Sequence, residues 1–152
     1  MTDQTPAVDA ETMAIASPAY WAWLKEIKLQ NGRFGFEGHE YQKEPMTYTG
    51  RRKCLMKGTQ GGFTECEVVV SLHGMIHNRY PLGVLYMFPT ADDVGEFSKS
   101  RFAPLIAANR KTIGKYVRDT DTTSLKRVGN AFLFLRGARL SQKIEEDSKE
   151  SS

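Results

Sequence analysis

The sequence has few of the features that mark secreted or membrane proteins. Two cysteines, Cys54 and Cys66, occur among 152 residues, which is too few for a disulfide framework and is typical of a reducing cytoplasm. No apolar run approaches the roughly 20 residues that a membrane span requires. The first 18 residues contain no lysine or arginine, so we do not expect a signal peptide. With 40% hydrophobic and 26% charged residues, the composition is typical of one soluble globular domain.

Positive charge is concentrated in one part of the chain. From Lys99 to Arg139 there are ten lysines and arginines but only two acidic residues, a net charge of +8 in a chain whose overall charge is +3. Basic residues spread over several elements are typical of proteins that contact a phosphate backbone. They are equally typical of a solvated surface, and charge alone leaves both interpretations open.

The order of elements predicts an α/β domain with a parallel sheet. Residues 1–17 are small, polar and acidic, and we expect a disordered lead-in. Ser17 and Pro18 predict the start of a helix that closes at Asn31 and Gly32. A helical turn is expected at residues 40–46, followed by a strand at 51–56 in which Cys54 is buried. A helix at 64–77 and a buried parallel strand at 83–88 should follow. The last expected helix spans residues 91–108 and is broken near Pro104.

The last part of the domain contains two more strand-like runs. Residues 124–128 and 131–136 are separated by Gly129 and Asn130, a dipeptide that suits either a hairpin turn or part of a longer connection. Residues 141–152 are charged and rich in serine, and we expect a flexible tail or a loop there.

Residues 57–64 (KGTQGGFT) have the pattern of a phosphate-binding loop. Such a loop needs a strand to aim it, glycines that let backbone N–H groups converge, and a helix N-terminus directed at the anion. The usual pattern is G-x-x-x-x-G-K-[ST]. Here Gly62 and Thr64 occupy the final glycine and hydroxyl positions, whereas Phe63 replaces the usual lysine and Lys57 replaces the first glycine.

This loop could still perform phosphate chemistry. Lys57 would neutralise charge on the β- and γ-phosphates, Thr64 would coordinate magnesium, and Gly61 with Gly62 would let the loop close. An ordinary glycine-rich turn between a strand and a helix would have the same spacing, so the spacing alone does not decide between the two.

The lysine-first loop resembles that of the large terminase subunits of tailed phages, in the branch typified by the lambda packaging ATPase. The positions that match are Lys57, Gly58, Gln60, Gly62, Phe63, Thr64 and Glu65. Thr59 replaces a small residue that is usual there. The resemblance continues into residues 84–106, a strand ending in Pro-Thr followed by a helix, and into residues 131–138. It covers about residues 18–140.

The resemblance implies a P-loop NTPase-like fold, with residues 18–140 as the N-terminal part of an ATPase domain. It implies that ATP and Mg²⁺ bind at residues 57–64, where Thr59, Gln60 and Gly61 complete the loop. It also implies that Tyr41 stacks on adenine and that Gln42 hydrogen-bonds the edge of the base. A surface helical turn with an incidental glutamine fits these two residues equally well.

The implied activity is ATP hydrolysis coupled to translocation of double-stranded DNA into a procapsid. The implied partners are double-stranded DNA, a small terminase subunit, a portal protein and further copies of the chain in a ring, at the procapsid portal in the bacterial host cytoplasm. The family's acidic pair should follow residue 140, and neither it nor the endonuclease domain occurs before Ser152. We therefore expect an N-terminal portion of a longer protein that, on its own, binds ATP poorly and hydrolyses it hardly at all.

Several other residues have more than one interpretation. His73 and His77 have a spacing that can hold zinc, but half-exposed helix positions are the expectation. One of Trp21 and Trp23 should pack on the core, while the other is exposed and marks a contact with a neighbouring subunit or domain. Arg101 could contact the DNA backbone or act on the nucleotide of a neighbouring subunit.

Two other functions remain open from the sequence. A helicase-like, nucleic-acid-stimulated ATPase would also have a strand that ends in Pro-Thr. A basic α/β nucleic-acid-binding module without enzymatic activity would have the same charge distribution.

Overall fold

The structure is a computed structural model that describes residues 7–56 and 58–138. It is an α/β arrangement of six helices, two short strands and a separate four-stranded sheet in this part of the chain. The helices are α1 (Ala10–Ala16), α2 (Pro18–Leu24), α3 (Lys43–Thr47), α4 (Phe63–Ile76), α5 (Ala91–Phe97) and α6 (Ala103–Ala108). The strands are β1 (Lys28–Leu29), β2 (Gly32–Arg33), β3 (Val84–Phe88), β4 (Val117–Asp121), β5 (Leu125–Val128) and β6 (Ala131–Gly137).

The N-terminal part contains a helix where the sequence predicts a disordered lead-in. Asp9 caps α1 by accepting a hydrogen bond from the Thr12 amide at 2.9 Å. Ala14 is buried in the core. This short helix is stabilised by its acidic N-cap and by packing against α2.

Helix α2 begins as predicted but ends early. The Ser17 hydroxyl accepts a hydrogen bond from the Tyr20 amide, and Pro18 occupies the first turn. The helix ends at Leu24, not at Asn31, because Glu26 adopts a left-handed conformation (φ 53°). The chain then forms the β1–β2 hairpin, in which Lys28 pairs with Arg33.

The two tryptophans of α2 divide as expected. Trp21 is buried at 3% exposure, whereas Trp23 is 52% exposed.

The strand expected at residues 51–56 is absent. This segment is irregular, and Cys54 is exposed where burial was expected. A strand needs a neighbour for its backbone N–H and C=O groups, and within the described residues no strand pairs with this segment. A short turn at Glu40–Gln42 followed by α3 confirms the helical turn predicted for residues 40–46.

The four-stranded sheet is mixed, which corrects the expectation of a parallel sheet. Its strand order is β3-β6-β5-β4. Strands β3 and β6 are parallel, with Val84 opposite Leu133, whereas β6, β5 and β4 are successively antiparallel. Gly129 (φ 61°) and Asn130 form a two-residue turn between β5 and β6, so the hairpin interpretation is correct. Strand β4 was not expected from the sequence.

The core lies between one face of the sheet and the helices. The spacing of Val68, Val69, Leu72, Met75 and Ile76 predicts one apolar face for α4. The first four are buried and Ile76 is half-buried. Strand β3 is only half covered, because Leu85 and Met87 are each 58% exposed on its other face. The prediction of a buried strand at residues 83–88 is therefore wrong, whereas its parallel pairing, with β6, is confirmed.

The helix predicted for residues 91–108 is present, but it is interrupted by a π-helical segment. A π-helical segment, Ser98–Phe102, joins α5 to α6, and Pro104 lies in the first turn of α6. Proline has no N–H to give to the preceding turn, which accounts for the irregularity at this point. Thr90 and Asp93 form a capping box at the start of α5.

Candidate nucleotide site

The glycine-rich loop leads directly into the N-terminus of α4. Gly62 is the N-cap with a left-handed conformation (φ 70°), and Gln60 is also left-handed (φ 62°). The helix begins at Phe63, one residue before the predicted start, and is 14 residues long. The first N–H groups of a helix have no partner within it, and the helix dipole favours an anion there. Lys57 lies outside the described residues, whereas Gly58, Thr59 and Gly61 lie within them.

Tyr41 and Gln42 lie against this loop. The side-chain amide nitrogen of Gln42 donates to the Gly61 carbonyl oxygen at 2.8 Å, and the Tyr41 hydroxyl donates to the same oxygen at 3.3 Å. The Tyr41 ring meets the Phe63 ring edge to face, with centroids 5.6 Å apart. The structure therefore places these two residues against the loop.

Cys66 completes the contacts of Gln42. Its thiol donates to the Gln42 side-chain oxygen at 3.4 Å. Burial raises the pKa of the Cys66 thiol to about 11, and the nearby carboxylates of Glu67 and Glu65 add to this effect. The sulfur therefore remains a neutral donor at physiological pH. The sequence indicated only that Cys66 belongs to the first turn of the helix.

Thr64 and Glu65 occupy the first turn of α4. Thr64 is half-buried. The Glu65 carboxylate accepts a hydrogen bond from Arg101 at 2.7 Å, and Arg101 also reaches the Gln30 side chain at 3.4 Å. Arg101 therefore lies beside the start of α4, joined to it by an ion pair that the sequence did not predict.

Lys53 is a second connection that sequence reasoning missed. Its ammonium group donates to the Pro45 carbonyl oxygen at 2.9 Å and forms an ion pair with Glu67. This side chain ties the irregular segment before the loop to both α3 and α4. The sequence did not predict these contacts, because they join residues of separate segments of the chain and depend on how α3 and α4 pack.

The two histidines at the end of α4 differ in burial. His73 is fully buried, which corrects the expectation of half exposure, whereas His77 is half-buried. The His73 ring contacts the Ala14 carbonyl oxygen through Nε2 at 2.8 Å. Burial lowers the pKa of His73 to about 4. The described residues contain no group of three or more metal-ligating side chains.

A cavity of about 550 Å³ lies away from the loop. Its lining includes Tyr48, Arg51, Arg79 and Tyr80 but no residue of the segment 58–64. The helices in the described ranges lack the length and hydropathy that crossing a bilayer requires.

The model of a protein family described as the phage terminase large subunit gpA, ATPase domain, matches residues 29–149. The chain belongs to this family. Membership confirms the resemblance to phage terminases, and the matched part includes the glycine-rich loop, α4 and the whole four-stranded sheet. Membership in a family of ATPase domains implies nucleotide binding and ATPase activity. No curated protein and no solved structure matches the chain.

Proposed function

We propose that this terminase ATPase domain binds Mg²⁺–ATP at residues 57–64 and forms the front part of a motor that packages viral DNA. The observation that carries this proposal is the loop itself. Within the matched ATPase domain, left-handed Gly62 leads the chain into the N-terminus of the 14-residue helix α4. Phosphate binds favourably at such a helix terminus because unpaired N–H groups and the helix dipole both favour negative charge.

The residues at the loop can bind a nucleoside triphosphate. The backbone N–H groups of Phe63 and Thr64 lie in the first turn of α4, where they can donate to phosphate oxygens. Lys57 supplies the cation, and the Thr64 hydroxyl is the ligand for magnesium. Bound magnesium supplies positive charge that offsets the charge on the β- and γ-phosphates. Tyr41 is 52% exposed, which leaves ring surface on which adenine can stack.

We further propose that ATP turnover drives double-stranded DNA into a procapsid. The partners in this role are a small terminase subunit, a portal protein and further copies of the chain in a ring, at the procapsid portal in the host cytoplasm. The net charge of +8 between Lys99 and Arg139 supports contact with a phosphate backbone. Arg101 pairs with Glu65 beside the loop, which favours a role at the nucleotide over a role on DNA.

The lysine-first assignment is tested by Lys57→Ala. The substitution removes the only cation in the segment 57–64, so we expect the affinity for Mg²⁺–ATP to fall at least tenfold, as measured by isothermal titration calorimetry. Phe63→Ala should reduce it less, because the loop uses the backbone of Phe63. Lys28→Ala, at an exposed lysine of β1, is the matched control and should leave binding unchanged. An unaltered affinity in Lys57→Ala would falsify the assignment.

A further inference from the structure

Gln42 is a buried polar side chain between the loop and α4. It is the last residue of the turn Glu40–Gln42 and is only 7% exposed. A buried amide needs hydrogen-bond partners, because leaving one of its groups unpaired costs about 1–3 kcal/mol. The partners of this amide therefore indicate what the residue does.

Both ends of the Gln42 amide are occupied within the protein. The nitrogen donates to the Gly61 carbonyl oxygen at 2.8 Å, and the oxygen accepts from the Cys66 thiol at 3.4 Å. Only one orientation of the amide satisfies these partners, since a carbonyl cannot donate and a neutral thiol is the donor available to the oxygen. Gln42 is thus held between the loop and the first turn of α4.

The bond to Gly61 determines the orientation of the peptide between Gly61 and Gly62. The described residues contain no cis peptide bond, and in a trans peptide the C=O and the N–H point in opposite directions. Because Gln42 holds the Gly61 carbonyl towards itself, the Gly62 N–H points to the opposite side of the loop. A Cβ atom at Gly62 would lie 2.5 Å from the Gln42 nitrogen, so the glycine permits this close approach as well as the positive φ.

We propose that Gln42 is a positioning residue of the phosphate loop, which orients the Gly61–Gly62 peptide so that its N–H is available to a phosphate oxygen, and that it does not select the base. This inference rests on the proposed binding of nucleotide at residues 57–64. To reach the edge of a base, the amide would have to leave Gly61 and Cys66 and emerge from a buried position. Tyr41, whose ring is exposed, then contributes to base binding by stacking, which every base permits.

The two roles of Gln42 predict different ligand dependence. A residue that orients the loop contributes equally to every ligand with a triphosphate chain, whether or not it carries a base. A residue that reads adenine contributes to ATP only. The affinities for Mg²⁺–ATP, Mg²⁺–GTP and magnesium tripolyphosphate, measured by calorimetry on the 152-residue chain, separate the two.

We expect Gln42→Glu to lower the affinity for all three ligands by the same factor, about five- to tenfold, because a carboxylate cannot donate to the Gly61 oxygen. Gln42→Met, which keeps the length of the side chain without a charge, should behave alike. Cys66→Ala is the matched control: it removes the partner of the amide oxygen but leaves the bond to Gly61, and its effect should be smaller. In Gln42→Met without ligand, the middle of α4 should keep its protection from hydrogen exchange, which shows that the variant is folded.

Two results would overturn the inference while leaving the proposed nucleotide site intact. One is a loss of affinity for ATP alone, with GTP and tripolyphosphate unaffected. The other is unchanged binding of all three ligands by a folded Gln42→Met variant. If the unsubstituted chain binds none of the three, the proposed function fails, and this inference fails with it.

Discussion

Among single residues, the buried polar side chains join elements that are far apart in sequence. Asn109 accepts from the Lys28 amide and donates to the Lys28 carbonyl oxygen, both at 2.8 Å, and so ties the β1–β2 hairpin to the end of α6. His73 of α4 contacts the Ala14 carbonyl of α1. Gln42 joins the glycine-rich loop to α4. The bonds of His73 and of Gln42 to Cys66 are buried, whereas those of Asn109 to Lys28 and of Gln42 to Gly61 are partly buried. Where such a bond is buried, losing one partner costs the desolvation of the other.

His73 should make the stability of the fold dependent on pH. Burial lowers its pKa to about 4 from the ordinary value of 6.5, so the unfolded chain takes up a proton at a higher pH than the folded chain does. The stabilisation is complete above pH 6.5 and is lost as the pH falls towards 4. In His73→Gln, which keeps a donor for Ala14 but does not titrate, we expect this loss, up to about 3 kcal/mol, to disappear.

The measurement is the free energy of unfolding in urea between pH 4 and 7 for both chains. Other groups also titrate in this range, so the informative quantity is the difference between the two curves. If that difference stays constant across the range, His73 does not titrate as its burial requires.

At the residue level, the sequence drew attention to two side chains that lie at the loop, but it did not predict their contacts within the protein. Tyr41 and Gln42 both donate to the Gly61 carbonyl oxygen. The bonds of Gln42 to Gly61 and Cys66, and that of Arg101 to Glu65, could not be predicted. They depend on how α3, α4 and the π-helical segment pack, and no local pattern encodes that packing.

For helices and strands, local signals predicted helix starts, whereas elements that depend on distant partners were missed. Ser17 and Thr90 cap α2 and α5 through their own hydroxyls, so the information lies within a few residues. Strand β4 and the absence of a strand at residues 51–56 depend on which other strands are available for pairing. Helix α1 depends on packing against α2.

The capping box of α5 gives a prediction about the stability of this element. The Thr90 hydroxyl accepts from the Asp93 amide at 3.2 Å and donates to the Asp93 carboxylate at 2.7 Å. We expect Thr90→Ala to lower the free energy of unfolding by about 1 kcal/mol. Thr123→Ala, at an exposed threonine of the β4–β5 connection, is the matched control and should change it little. Equal unfolding midpoints in urea for Thr90→Ala and the unsubstituted chain would show that the cap does not stabilise the fold.

Over the whole molecule, the sheet combines one parallel pair with an antiparallel extension. The parallel pairing of β3 with β6 agrees with the α/β pattern read from the sequence. The turn at Gly129 and Asn130 then adds β5, and β4 follows, so that the sheet becomes mixed. The helices cover one face, while Leu85 and Met87 remain exposed on the other. The match to the terminase ATPase domain extends over this entire sheet.

The central claim is that residues 57–64 bind the phosphates of a nucleotide. Hydrogen–deuterium exchange of the 152-residue chain, with and without millimolar Mg²⁺–ATP, tests it most directly, because the amides that would contact phosphate are those that would become protected. We expect protection at residues 58–65 that also appears with magnesium tripolyphosphate, and unchanged exchange in β5 and β6. Identical exchange of the loop with and without nucleotide, at concentrations up to several millimolar, would contradict the claim.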